Sequence, residues 1–257
     1  MHPYMSILDA YDPSSSPLIK PESFYQKGQH ITDTCVVCFS YRAYHYVLDH
    51  YEHVLYMDMH ATANGPIQIH YLPKYNVLFF MSLIGAPIAA GILQEIAYIA
   101  DIKRFVYFGS CGVLDESVRG KVIVPSACYR EEGYSYHYCP PSEYLEMEHY
   151  QDVAAYMQRH HIDHVVCKGW TTDAIYNETK RKCALRKQEG VLCVDMEATG
   201  LQAIASYIGV DLYIFFFGAD ILGEVWSKGD KGGDTEHVHQ QSASDIAIGL
   251  AAELQNN

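Results

Sequence analysis

Residues 212–217 read Leu-Tyr-Ile-Phe-Phe-Phe, and this unbroken apolar stretch indicates the fold class more strongly than any other part of the chain. A strand with one face in water alternates apolar and polar side chains, whereas a strand covered on both faces does not. The stretch therefore predicts a strand inside a sheet that has packed layers on both sides. Gly218, Ala219 and Asp220 follow it, so the strand leads into a glycine and an acid.

Outward from this strand, predicted strands and helices alternate along the chain, with a turn at Asn64-Gly65. No linker or repeat interrupts the alternation, which predicts a single α/β domain with a covered central sheet. We predict strands at 35–39, 67–71, 77–82, 105–108, 121–125, 165–168, 191–194 and 210–217, and helices at 42–51, 87–100, 149–161, 174–188, 197–208 and 237–254.

The N-terminal residues have a different composition from the rest of the chain. Residues 1–34 contain four of the ten prolines and three consecutive serines. Such residues favour turns over core elements. We therefore expect an irregular arm at 1–34 and the folded domain at 35–257.

Composition excludes several classes of protein. With 49% hydrophobic and 19% charged residues, the 257-residue chain is neither disordered nor fibrous. Its formal charge of −13 repels polyanions, so we expect no nucleic-acid partner. The N-terminus lacks a basic start with an apolar core, and glycine and proline interrupt the longest apolar stretch, 77–93. We expect no signal peptide or membrane span, and eight reduced, mostly buried cysteines in a cytoplasmic protein.

The first segment with chemical potential is 108–114, Phe-Gly-Ser-Cys-Gly-Val-Leu. The predicted strand stops at Gly109, a hydroxyl follows at Ser110, and Gly112 lets the backbone turn back. Ligands of α/β proteins bind where strands end, and exposed backbone N–H groups there hold small anions. An ordinary strand-to-loop turn has the same pattern, so the sequence alone leaves both interpretations open.

The second segment is 194–200, Val-Asp-Met-Glu-Ala-Thr-Gly, at a strand-to-helix junction. Asp195 is typical of a helix cap. Glu197 lies between an apolar strand and an apolar helix, a position that suits a carboxylate binding two hydroxyl groups. The third candidate, Asp220, ends the most apolar strand. There it is suited to donating a proton, and a turn or capping aspartate is the alternative.

One further motif is set aside. Cys35-Val36-Val37-Cys38 has the spacing of a redox or zinc site, but it lies on a predicted strand and no second pair accompanies it. We therefore expect no metal site.

Together the three segments resemble the nucleoside phosphorylase superfamily, which includes uridine phosphorylases, hexameric-type purine nucleoside phosphorylases and nucleosidases. The resemblance extends from about Cys35 to Leu254 and implies a central mixed, partly barrel-like β-sheet flanked by helices. Residues 109–112 match the phosphate-side glycine loop, and 194–197 match the ribose motif. Residues 126–138 and 171–176 resemble segments near the base. Asp220 falls where purine-acting members place the acid that protonates the leaving base.

The resemblance implies reversible phosphorolysis of a ribo- or deoxyribonucleoside to free base and sugar 1-phosphate. Orthophosphate is then a co-substrate, and no metal or organic cofactor is required. The resemblance also implies a homo-oligomer built from dimers, either a dimer or a hexamer, with active sites near subunit interfaces. The implied roles are phosphate binding by Arg42, Gly109 and Ser110, ribose binding by Met196 and Glu197, base binding by Ile175, Tyr176, Arg181 and Asp220, and catalysis by Glu197 and Asp220.

Two departures bear on the reaction. Tyr107 replaces an arginine that precedes the family's glycine loop. In the family a neighbouring subunit supplies a second phosphate-binding arginine. The matching residues here, 57–65, contain no Arg or Lys. Losing two charge-assisted hydrogen bonds weakens phosphate binding about a hundredfold or more. The alternatives are phosphorolysis with a substitute donor such as Tyr107, hydrolysis by water, or nucleoside binding without catalysis.

We favour phosphorolysis over these alternatives. No base that would activate water is identifiable near the glycine loop, and a mere binding protein needs no proton donor such as Asp220. Asp220 slightly favours a purine nucleoside over uridine as the substrate. Uridine-specific members carry a Gln-x-Arg pair after the aromatic segment, and residues 179–181 keep only Arg181.

Overall fold

The computed structural model describes residues 6–62, 65–229 and 234–256, so the turn predicted at Asn64 lies outside the described residues. Its strands are β1 (Thr34–Cys38), β2 (Val54–Thr62), β3 (Gly65–Leu72), β4 (Val77–Met81), β5 (Arg104–Val113), β6 (Val122–Glu131), β7 (Tyr144–Glu146), β8 (His164–Thr172), β9 (Val191–Asp195), β10 (Asp211–Leu222) and β11 (Trp226–Ser227). Its α-helices are α1 (Tyr41–His50), α2 (Ala86–Ala100), α3 (Tyr150–Arg159), α4 (Lys180–Gln188), α5 (Ala198–Ile208) and α6 (Asp234–Glu253).

Five strands close into a barrel. In order around it they are β5, β10, β6, β8 and β9, and β9 pairs back onto β5. β1, β4, β3 and β2 extend the same sheet from β5, with both parallel and antiparallel pairs. The predicted single α/β domain with a mixed, partly barrel-like sheet is confirmed.

Both faces of β10 are buried, as its sequence predicts. Leu212, Ile214 and Phe216 pack in a cluster that includes side chains of α2 and α5. Tyr213, Phe215 and Phe217 face the opposite cluster, which includes side chains of α1, α3 and α6. Burying each of these large side chains contributes about 1.5–3 kcal/mol. The strand therefore fixes helices on both sides of the sheet and holds Asp220 at its far end.

Several elements differ from the prediction: β2, β7 and β11 have no predicted counterpart, β5 continues past Gly109 to Val113, and α4 begins later than expected. α4 begins at Lys180 and not at 174, because Thr179 caps it by accepting a hydrogen bond from the Lys182 N–H (3.3 Å), while Ile175–Asn177 forms a separate 3-10 turn. β2 escaped prediction because Asp58 and neighbouring polar residues break its apolar pattern. It lies at the edge of the sheet, where the hydrophobic pattern is weak.

The described part of the N-terminal arm is irregular. Residues 6–33 contain only two short 3-10 turns, Ile7–Asp9 and Pro21–Ser23, and the Gly28 N–H anchors the arm to the Ile99 carbonyl on α2 (2.7 Å).

All eight cysteines are free and seven are buried, as predicted. Within the described ranges no helix is both long and apolar enough to cross a membrane.

Candidate active site

An open cleft lies where several strands and helices meet. Its wall includes residues 38–40 before α1, 108–112 of β5, 194–197 at the end of β9 and just after it, and parts of 216–222 on β10. Strand register explains this convergence: Phe217 pairs with Ser110 in the parallel ladder, and Gly112 pairs with Val194 in the antiparallel one. The three candidate segments of the sequence analysis, which are distant from one another along the chain, therefore share one site.

Gly109 and Ser110 form the part of the wall expected to hold an anion. Ser110 is the one exposed residue in an otherwise buried run of β5. A Cβ atom at Gly109 would lie 3.1 Å from the Phe39 ring, so the absence of a side chain lets that ring pack closely on the strand. The segment offers backbone and a hydroxyl group to the cleft.

The wall provides little positive charge for an anion. Arg42, the second residue of α1, is exposed and lies outside the lining, although Ser40, two residues before it, and Ala43, directly after it, belong to the wall. The Ser40 hydroxyl donates to the Gln240 side-chain oxygen (2.8 Å) and accepts from the Ala43 N–H (3.4 Å). Among the residues that the structure describes, no lysine or arginine lines the cleft.

Tyr107 lies behind the wall. Its ring is fully buried and packs against Phe39 and Phe105, with ring centroids 5.7 and 6.2 Å away. Burial raises the pKa of this phenol well above its usual range. The hydroxyl has no hydrogen-bond partner among the described residues and does not reach the lining, so this geometry does not offer it to an anion in the cleft.

Glu197 is a carboxylate held in a nearly closed environment. It precedes α5, is 6% exposed, and its Oε1 accepts a hydrogen bond from the Gly85 N–H at 2.7 Å. Gly85, which precedes α2, has a φ of 105°, a conformation that favours glycine. Burial, and then the charge of Asp195, raise the pKa of Glu197. With Met196 beside it in the wall, this acid can bind sugar hydroxyls.

Asp195 fixes the start of α5. Its Oδ2 accepts hydrogen bonds from the Glu197 and Ala198 N–H groups (2.8 and 2.6 Å), which confirms the predicted helix cap. Its Oδ1 accepts from the Thr171 hydroxyl (2.8 Å). Burial raises the pKa of Asp195, and these three donors oppose that shift. The cap therefore sets the backbone from which Glu197 projects.

Asp220 lies at an irregularity in β10. The register against β5 shifts between Gly218 and Ile221, and such bulges redirect side chains near active sites. Asp220 is half-buried in the cleft wall, and its Oδ2 accepts a hydrogen bond from the Trp226 indole N–H at 2.8 Å. An acid is thus present beside the part of the cleft formed by β10.

The expected base-binding residues divide between the cleft and the surface. Ile175 lines the cleft, whereas the Tyr176 side chain is fully exposed and Arg181 is exposed in the first turn of α4. Glu178 of the same segment also lines the cleft, although its sequence context gave no signal. This side of the cleft is therefore open.

Residues 126–138 support the site from behind. Buried Glu132 accepts hydrogen bonds from the Thr199 hydroxyl (2.9 Å) and the Ser135 N–H (3.0 Å). Arg130 donates to the Ser135 hydroxyl (2.9 Å). The segment is thereby tied to Thr199 of α5, two residues after Glu197.

Further wall residues had no signature in the sequence. Phe39, Ile84 and Leu222 reach the cleft through strand pairing and helix packing, which local patterns do not encode. Within the described part of the chain, no group of three His, Cys, Asp or Glu side chains could hold a metal ion.

The fold has counterparts among solved structures. A purine nucleoside phosphorylase from Toxoplasma gondii in complex with immucillin-H superposes with a TM-score of 0.72, at 16% identity. The match covers 90% of this chain and 98% of that one. At this identity the likeness concerns the fold.

Sequence comparison adds a relative and a family. A DeoD-type purine nucleoside phosphorylase from Caldanaerobacter subterraneus subsp. tengcongensis is 26% identical over 157 residues, which are 58% of this chain. The match spans 66% of that relative, just under two thirds of its length. The sequence model described as the phosphorylase superfamily matches residues 33–254, most of the chain and every segment of the cleft wall. The chain therefore belongs to the phosphorylase superfamily.

Proposed function

We propose that this protein is a nucleoside phosphorylase, which cleaves the N-glycosidic bond with orthophosphate and releases free base and sugar 1-phosphate. The observation that carries the proposal is the position of Glu197. This buried carboxylate is anchored by the Gly85 N–H in a cleft that also holds Ser110 and Asp220. The family and the relative's name support the same reaction class.

Each reacting part of the substrate has a proposed partner. Glu197 binds the ribose hydroxyls with Met196 packed against the sugar, and it stabilises the sugar as positive charge develops there. Gly109 and Ser110 hold phosphate on one face, with Arg42 as the nearest candidate cation. Asp220 donates a proton to the leaving base. No organic cofactor or metal is required.

A purine nucleoside is the proposed substrate. A purine leaves more readily when one of its ring nitrogens is protonated, and Asp220 provides an acid in the cleft. Both named proteins are purine nucleoside phosphorylases. Ile175, Tyr176 and Arg181 are proposed to contact the base, which requires the exposed segment around Tyr176 to fold over it.

Hydrolysis is the second candidate, and one observation favours it. Among the described residues no lysine or arginine lines the cleft, so a bound phosphate would lack the charge-assisted bonds that usually hold it. Water needs no such partner. We retain phosphorolysis because the chain belongs to the phosphorylase superfamily and its relative is named a purine nucleoside phosphorylase. A carboxylate of the wall such as Glu178 would be the base in the hydrolytic alternative.

We also propose that the protein works as a cytoplasmic homo-oligomer. Large apolar side chains are exposed on or next to the cleft wall, including Tyr41 (69%), Ile84 (60%) and Tyr176 (101%). Such patches mark protein interfaces. A neighbouring subunit there would cover the open base side and supply missing positive charge. Sedimentation at several protein concentrations tests this arrangement, and a monomer throughout would contradict it.

The reaction is tested with a panel of purine and pyrimidine nucleosides, each with and without phosphate. We expect purine release that depends on phosphate and saturates only at high phosphate concentration. Glu197→Gln should lose most of this activity, because the amide lacks the charge proposed to stabilise the sugar. The matched control is Glu146→Gln, which changes an exposed acid outside the cleft and should keep the activity. Release of uracil alone would contradict the purine assignment, and no cleavage of any nucleoside would contradict the function.

A further inference from the structure

Trp226 lies in a short hairpin beside the cleft. β11 pairs with the end of β10, Leu222 opposite Trp226 and Ile221 opposite Ser227, and residues 223–225 connect the strands. Leu222 and Asp220 both line the cleft. The hairpin therefore places an aromatic side chain next to the acid proposed to protonate the base.

The indole makes one specific polar contact. Trp226 Nε1–H donates to Asp220 Oδ2 at 2.8 Å, although the side chain is 58% exposed. An exposed tryptophan loses no stability by pointing its N–H to water, so this direction is not imposed by burial. Asp220 follows a register shift in β10, where the strand ladder constrains its backbone less.

We propose that Trp226 is a positioning residue for Asp220, which rests on the function proposed above. The indole N–H holds the carboxyl group in the orientation that meets the leaving base. The indole keeps its own proton. The proton passes from Asp220 to a base nitrogen as the glycosidic bond breaks and its electron pair moves to the base. A phosphate oxygen forms the new bond to the anomeric carbon, which gives the sugar 1-phosphate.

The role predicts a dependence on the leaving group. Trp226→Phe keeps an aromatic ring and removes the N–H, so kcat for natural purine nucleosides should fall about tenfold, the equivalent of one hydrogen bond. The nucleoside KM should change little. An activated riboside whose leaving group departs without protonation should keep its rate. Val225→Ala, on the same hairpin and 77% exposed, is the control and should behave as wild type.

Fluorescence gives a readout that is independent of turnover. The chain has two tryptophans, and the other one, Trp170 of β8, is fully buried in a cluster with Val194 and Leu222 of the cleft wall. Nucleoside binding should change the emission of the wild type much more than that of Trp226→Phe. In the ligand-free variant, the emission of buried Trp170 also reports that the fold is intact.

Three results would overturn the role of Trp226. They are a wild-type kcat in Trp226→Phe, equal slowing of natural and activated substrates, and a nucleoside-induced emission change that is as large in the variant as in the wild type. Each leaves the proposed function intact if the wild type still cleaves nucleosides. A wild type that cleaves none would overturn the function, and the role of Trp226 with it.

Discussion

Glu197 combines features that surface acids lack: it is nearly fully buried, accepts a hydrogen bond from a backbone N–H, and lies close to a second buried acid, Asp195. If it stabilises charge on the sugar, Glu197→Ala should lower kcat/KM by at least about a hundredfold. Steady-state kinetics on purified, folded protein checks this. A folded variant with wild-type kcat/KM would remove the assignment.

Asp220→Asn tests whether Asp220 donates a proton or only fills its place in the cleft wall. The amide keeps the size of the side chain but transfers no proton, so purine nucleosides should slow much more than activated substrates. Parallel rate measurements on both substrate classes test this. Equal slowing would mean that Asp220 has a structural role only.

Arg42 is the cation nearest in sequence to the cleft wall, and it lies outside the lining. Arg42→Ala should raise the phosphate KM sharply, while binding of nucleoside alone changes little. Kinetics at varied phosphate, together with nucleoside titration by calorimetry, measures both effects. An unchanged phosphate KM would leave Ser110 and the backbone, or a neighbouring subunit, as the phosphate site.

At the scale of elements, the start of α5 couples the site to stability. Burial and Asp195 raise the pKa of Glu197 above its ordinary value of 4.5. Above that pH the folded protein keeps a proton that the unfolded chain has released, so the free energy of unfolding falls as pH rises until the raised pKa is passed. Glu197→Gln removes this titration.

Urea unfolding of both proteins between about pH 5 and about pH 8 measures the effect. The stability of Glu197→Gln relative to wild type should increase with rising pH over this interval. Parallel pH dependences would show that Glu197 is not perturbed by its surroundings.

Some elements can be predicted from the sequence and others cannot. β10 can be predicted because its apolar run is visible in the local sequence, without knowledge of the strands that pair with it. Glu197 and Asp220 stand out as candidates because each acid interrupts or ends such a run. The edge strand β2 carries a polar pattern. The contact between Trp226 and Asp220 depends on a hairpin and a bulge, which no local periodicity reveals.

At the scale of the whole molecule, the barrel gathers the segments of the site and leaves part of the site open. Register between β5, β9 and β10 brings Ser110, Glu197 and Asp220 together across more than a hundred residues. The exposed Tyr176 and the distance of Arg42 from the wall could not be predicted from sequence, because both depend on how loops and helices pack. An oligomer would change the surroundings of both side chains.

Phosphorus NMR of the wild-type reaction with a purine nucleoside and phosphate tests the central claim most directly. The account predicts a sugar 1-phosphate resonance that grows in step with free base, and no base release when phosphate is omitted. Base release at full rate in phosphate-free buffer, with free ribose as the product, would contradict phosphorolysis and establish hydrolysis instead.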